Sequence, residues 1–242
     1  MNIQVYPDLG ALSTAAAQLF VSRAEQAIQA RGRFAVALAG GNTPRGAYDL
    51  LSKPPFREQI PWEKVHIFFG DERCVPADDP RSNQKMAREA LLDRVPLPPS
   101  QVYPIPGEAS PDEAAERYET LLRGFFAGDS PRFDLVFLGM GEDGHTASLF
   151  PGTPALDEQV RWVTWVCPPT QELCRVTLTA PIINLAAAVA FLVSGEGKAA
   201  TLREVLGDPH DPHRLPAQLI QPRDGQLVWL ADAAAARLLH QP

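Results

Sequence analysis

The sequence predicts an α/β fold, a mainly parallel sheet with helices on both faces and a small β-containing subdomain, and three observations predict it. Four short, almost wholly apolar runs recur over residues 34–39, 65–69, 133–138 and 189–193. Runs of that kind mark strands of a parallel sheet that is covered on both sides. Stretches with helical apolar spacing separate them, so the chain alternates β and α. Turns rich in Gly, Asn, Asp and Arg follow the apolar runs, at the strand ends where ligands of open α/β sheets bind.

The first helix is expected over residues 13–31, where Ala16, Leu19, Phe20, Ala24, Ala27 and Ile28 share one face and Gly32 stops it. The strand over 34–39 follows, then a helix over 43–51, the strand over 65–69 and a helix over 83–93. The helix over 111–125 opens with Ser110 and Glu113 at the spacing of a capping box. After the strand over 133–138, residues 161–167 and 175–179 alternate polar and apolar, as less buried strands do. The strand over 189–193, a helix over 198–205, the apolar run over 227–230 and an Ala-rich segment over 231–239 close the chain. There is no repeat or linker, so residues 1–242 are expected to form a single domain.

The net charge of −7 argues against general affinity for nucleic acid or for an anionic membrane, which leaves a small molecule as the expected partner. Cys74, Cys167 and Cys174 are odd in number and lack a Cys-x-x-Cys pair, so no disulfide framework or zinc knuckle is indicated. With no signal-like N-terminus and no run long enough to span a bilayer, a cytoplasmic protein is expected, with a monomer favoured.

Four strand-end segments carry the candidate chemistry. In Gly40-Gly41-Asn42-Thr43-Pro44 the glycines allow backbone to approach a ligand. Asn42 or Thr43 can cap a helix whose free N–H groups suit phosphate. Gly70-Asp71-Glu72-Arg73 places a carboxylate pair, able to position hydroxyls, beside a guanidinium able to grip an anion; a surface ion-pair network is the alternative. Ser194-Gly195-Glu196-Gly197-Lys198 brings a lysine to the same edge, and Arg175 is a second candidate cation. By contrast, Asp208-Pro209-His210-Asp211-Pro212-His213 reads as a Pro-rich loop and not as a metal site.

The fourth segment, Gly139-Met140-Gly141-Glu142-Asp143-Gly144-His145, matches the letters of a dinucleotide fingerprint. Glu142 and Asp143 would oppose a pyrophosphate there, and no acidic ribose partner ends a following strand. The better reading is a catalytic turn in which a neutral His145 takes a proton from water while Asp143 orients it.

Taken in order, Gly40-Gly41-Asn42-Thr43-Pro44, Gly70-Asp71-Glu72-Arg73, Arg81-Ser82-Asn83, Gly141-Glu142-Asp143-Gly144-His145-Thr146-Ala147-Ser148-Leu149-Phe150-Pro151, Arg175-Val176-Thr177-Leu178-Thr179 and Gly195-Glu196-Gly197-Lys198 resemble the 6-phosphogluconolactonases over nearly the whole chain. The resemblance implies a Rossmann-like fold shared with glucosamine-6-phosphate deaminases and ribose-5-phosphate isomerases. It implies hydrolysis of 6-phospho-D-glucono-1,5-lactone with His145 as general base, Asp143 in support, and Arg73 and Lys198, with Arg175, on the phosphate. No metal or organic cofactor is implied. The related deaminases carry a Glu five residues after the motif's His, where this chain has Phe150. An amino-sugar-phosphate deaminase or a non-catalytic sugar-phosphate sensor are the alternatives.

Overall fold

The computed structural model describes residues 2–127, 131–169, 171–207 and 209–239. Six strands form one wholly parallel sheet: β1 (Asn2–Tyr6), β2 (Phe34–Leu38), β3 (Val65–Phe69), β5 (Leu135–Leu138), β8 (Ala188–Val193) and β9 (Gln226–Asp232), in the order β1-β9-β8-β5-β2-β3. A second, antiparallel sheet takes β4 (Asp71–Arg73), β7 (Arg175–Leu178) and β6 (Val163–Val166), in that order. The helices are α1 (Leu9–Arg31), α2 (Asn42–Leu51), α3 (Asn83–Ala90), α4 (Pro111–Phe125), α5 (Ala180–Ile183), α6 (Ala199–Leu206) and α7 (Ala233–Ala236). Every residue of β2, β5 and β8 is buried, as their unbroken apolar runs require.

The strand order reverses between β2 and β5. From β2 the chain moves outward to β3, and from β5 it moves the other way to β8 and β9. Loops leaving β2 and β5 therefore diverge and open a crevice at the carboxyl edge of the sheet. Two buried tyrosines finish the ladder beside it. Tyr48 of α2 accepts from the Ala39 N–H (3.0 Å) and donates to the Ala39 carbonyl (2.9 Å). Tyr118 of α4 does the same at Phe69 (2.9 and 3.0 Å). Burial pushes both phenols far above their ordinary value, so they remain neutral donors that hold the two strand ends.

Several boundaries differ from the sequence expectations. The first helix begins at Leu9, because Asp8 accepts from the Ala11 N–H (2.8 Å), and Gly32 ends it in the left-handed region at φ 74°. Strand β1 carries no apolar run to reveal it. It is a half-exposed edge strand that exists through parallel pairing with β9. The expected helix over 83–93 ends at Ala90, and a tight 3-10 turn covers Leu92–Arg94. Within the Ala-rich segment the helix is Ala233–Ala236, because β9 continues to Asp232, which caps it by accepting from the Ala235 N–H (2.7 Å). Ser110 precedes α4 without a side-chain cap bond, and Glu113 pairs with Arg117 instead of closing a capping box.

The cysteine expectation is also corrected: Cys167 and Cys174 are disulfide-bonded, with Cα atoms 4.0 Å apart. The register of β6 on β7 pairs Val166 with Arg175, which sets the two cysteines opposite one another at the mouth of the hairpin. Counting cysteines could not show that. Cys74 is a free thiol.

Candidate active site

A cavity of about 350 Å³ occupies the crevice. Gly40, Gly41, Asn42 and Thr43 line it from the β2 side, His145 from the β5 side, and Asp71, Arg73, Arg175 and Lys198 close it. All nine are residues singled out in the sequence. They converge because β2, β3, β5 and β8 are parallel and so discharge their loops at one edge, and because β4 after β3 pairs with β7 and brings Arg175 there.

His145 sits on a turn that the sequence builds almost alone. The Gly141 N–H donates to the His145 carbonyl (2.8 Å) and the Gly144 N–H to the Gly141 carbonyl (3.2 Å). Asp143 accepts from the His145 N–H (3.1 Å) and lies 2.5 Å from His145 Nδ1. A carboxylate can only accept, so it fixes the ring proton on Nδ1 and leaves Nε2 as the basic nitrogen. Burial works against the ionised form of Asp143, yet the hydrogen bond and charge of His145 outweigh it and hold the carboxyl below its ordinary value. Glycine is required at position 141, since a Cβ there would lie 2.1 Å from His145 Nδ1. Ala147 holds φ at 47°, left-handed backbone that is uncommon outside glycine and marks a turn constrained by its surroundings. No helix follows this turn directly; the next elements are an isolated bridge between Thr146 and Leu149 and a 3-10 turn at Pro154–Asp157. That geometry removes the dinucleotide reading.

Phe150 stacks on His145, with ring centroids 4.3 Å apart, and the Arg175 guanidinium lies over its ring at 5.3 Å. Arg175 and Arg73 face one another across the β4–β7 ladder. Burial lowers the Arg175 pKa, Asp71 opposes that shift, and Arg73 adds to it. The Nε atoms of both arginines are buried and, among the described residues, without a hydrogen-bond partner. Two cations in register with unpaired donors are costly alone and favourable once an anion arrives. Lys198 has no ion-pair partner among the described residues. Helix α2 starts at Gly41, whose φ of 98° needs glycine, and no side chain caps it. The expectation that Asn42 or Thr43 would cap it is therefore corrected, and the first N–H groups are left for a ligand.

The second loop departs from its sequence reading. Asp71, Glu72 and Arg73 form strand β4, held by β7, where local sequence suggests only a charged loop. Asp71 accepts from Ser148 Oγ (2.6 Å) and Asn83 Nδ2 (3.1 Å), and Glu72 faces away from the cavity into the protein. Ser148 is fully buried by that bond. Farther along the chain Arg81 forms a surface ion pair with Asp79. Asn83 is the lining residue that side-chain reasoning missed; its place in Arg81-Ser82-Asn83, just before a helix, was the available signal. Beyond Arg73 and Arg175 a wider cavity of about 780 Å³ continues over Arg45, Lys85 and Gln171. Among the described residues no cluster of His, Cys, Asp and Glu is placed to hold a metal ion, and Asp208 of the Pro-rich loop lies outside the described residues.

Residues 7–229 match the family model described as glucosamine-6-phosphate isomerases/6-phosphogluconolactonase. The chain belongs to this family. A 6-phosphogluconolactonase from Synechocystis is 46% identical over 222 residues, 90% of each chain. The solved structure of 6-phosphogluconolactonase from Trypanosoma brucei superposes with a TM-score of 0.87 at 32% identity, covering 98% of this chain and 97% of that one. A monomeric glucosamine-6-phosphate deaminase, 23% identical, reaches a TM-score of 0.84 over 98% of this chain and all of its own, which shows that the deaminases share the fold of this family member.

Proposed function

We propose that the chain hydrolyses 6-phospho-D-glucono-1,5-lactone to 6-phospho-D-gluconate, the lactonase step of the oxidative pentose phosphate pathway. The observation that carries this reading is the convergence of the Asp143–His145 pair with three cations in one cavity, in a member of this family. Arg73, Arg175 and Lys198 hold the phosphate. The anchored lactone then presents its carbonyl to a water held by His145 Nε2. His145 takes a proton from that water as its oxygen attacks, and Asp143 stabilises the imidazolium that forms. The tetrahedral oxyanion is met by backbone N–H groups at the start of α2. The Gly144 N–H is committed to the Gly141 carbonyl. Collapse of the intermediate breaks the acyl C–O bond of the ring, and the imidazolium gives its proton to the departing ring oxygen, which becomes a hydroxyl. Ring opening needs no covalent enzyme intermediate.

Phe150 supports hydrolysis over deamination, because an apolar ring stands against His145 where the deaminases carry a carboxylate. Three finer expectations belong to the same proposal. A single domain is supported by one hydrophobic cluster that takes in residues of both sheets. A monomer is the second, and the mass of the protein in solution tests it. A cytoplasmic setting is the third, and direct fractionation tests it; among the described residues no helix is long and apolar enough to cross a membrane.

The test is to generate the phosphorylated lactone in situ and follow proton release above spontaneous hydrolysis. No acceleration by folded protein sinks the lactonase reading, and tight sugar-phosphate binding without turnover would turn it into a sensor.

A further inference from the structure

Glu72 makes no contact with the cavity, yet its carboxylate is only 3% exposed and carries four hydrogen bonds. Oε1 accepts from the N–H groups of Arg73 and Asn83, both at 2.8 Å. Oε2 accepts from Ser82 Oγ (2.9 Å) and the Gln84 N–H (2.8 Å). Burial pushes the Glu72 carboxyl above its ordinary value although all four donors act to lower it. An ionised carboxylate in such a place costs stability unless its donors are kept. What those donors hold is the turn that delivers Asn83.

Asn83, itself 2% exposed, is where the separate loops of the cavity meet. Its Nδ2 donates to the Asp71 backbone carbonyl (2.9 Å) and to Asp71 Oδ1 (3.1 Å), and its Oδ1 accepts from Arg73 Nη1. On its other side it lies against the bare backbone of Gly40, where a Cβ would come within 1.8 Å of Oδ1. One amide side chain thus touches the glycine loop after β2, the carboxylate on β4 and the guanidinium that faces Arg175.

We propose that Glu72 is a positioning residue for the anion side of the cavity: by clamping residues 82–84 onto β4 it fixes Asn83, and through Asn83 it sets the direction of the Arg73 guanidinium. The inference rests on the lactonase reading. A simpler role is helix capping alone, because Glu72 and Ser82 both accept N–H groups at the start of α3. Capping and positioning differ in what their loss does. A lost cap lowers stability and leaves substrate recognition alone. A released turn frees both Asn83 and the Arg81 carbonyl, which accepts from Arg73 Nη1 (2.9 Å), and lets Arg73 swing, which weakens binding of the phosphate and spares the base, on the opposite side of the cavity.

The decisive experiment compares kinetics on 6-phosphogluconolactone and on unphosphorylated gluconolactone for wild type, Glu72→Gln, Asn83→Ala and Ser82→Ala. Gln keeps the shape of Glu72 but offers one acceptor oxygen to four donors. Glu72→Gln is expected to raise KM for the phosphorylated lactone about tenfold, the scale of one charge-assisted hydrogen bond, with kcat within about threefold of wild type. Its kinetics on the unphosphorylated lactone should not change. Asn83→Ala, which leaves all four Glu72 acceptor contacts to backbone and Ser82 available, should reproduce the KM effect. Ser82→Ala should lower Tm without moving KM. If Glu72→Gln does not fold, Asn83→Ala decides alone. An unchanged KM, or an equal loss on both substrates, overturns the positioning role. Absence of turnover by the wild type overturns the lactonase reading itself and is thereby told apart.

Discussion

The two sides of the cavity are built by different means. On the β5 side, Gly141, Asp143, His145 and Phe150 all come from one short stretch, and their contacts close within a single turn. On the other side, Arg73 comes from β4, Arg175 from β7, Lys198 from the turn after β8 and the free N–H groups from the start of α2 after β2. The proton-transfer pair is thus local and set by turn geometry. The anion grip is a product of sheet register, and it needs Asn83 and Glu72 behind it to hold still. A local device tolerates distant change and fails abruptly when its own turn is altered. An assembled one loses strength by degrees.

Breaking the local side should give the largest effect. His145→Ala is expected to lower kcat by about 10²–10⁴-fold, the usual contribution of a positioned general base, with KM close to wild type. Steady-state proton release measures it, and an unchanged kcat would remove His145 from the base role. Gly141→Ala should follow, with kcat down about tenfold or more, because the new Cβ must displace the His145 ring from Asp143. Retained kcat in that variant would mean that the ring has no single working position.

Weakening the assembled side should act on KM. Lys198→Ala is expected to raise KM for the phosphorylated lactone about tenfold at low salt, with little change in Tm, since Lys198 has no ion-pair partner among the described residues. A fall in kcat with KM unmoved would place the lysine at the reacting carbonyl instead.

The smallest effect concerns stability. Because the Asp143 carboxyl lies below its ordinary value in the folded chain, its stabilising contribution is fully present above the unfolded value, about 3.9 for Asp. It is lost as pH falls through the lowered folded value. The stability difference between wild type and Asp143→Asn should therefore shrink as pH is lowered through that window. Urea midpoints measured across it give the answer, and a difference independent of pH would show that the pair contributes nothing through ionisation.

How much was legible follows the same division. Helix α4, strand β3 and the buried strands stood out because an apolar period belongs to each segment alone. Asp143 and His145 were legible as a pair because a Gly-rich turn can bring residues two apart together. Strand β4 was hidden, since Asp-Glu-Arg has no strand pattern and becomes one only by pairing with β7. Glu72 looked like a ligand for substrate hydroxyls, and alternation along β4 turned it inward instead. The cysteine pair was hidden for a related reason: the hairpin register, and not the spacing, set Cys167 opposite Cys174.

By itself the sequence determined the α/β alternation, the strand-end location of the chemistry and the Asp143–His145 turn, because periodicity and glycine placement act over a few residues. The tertiary structure alone decided that Arg73 and Arg175 stand face to face and that Asn83 joins Gly40, Asp71 and Arg73. Those contacts link residues far apart in the chain, and only the register of strands within and between the two sheets brings them within bonding distance.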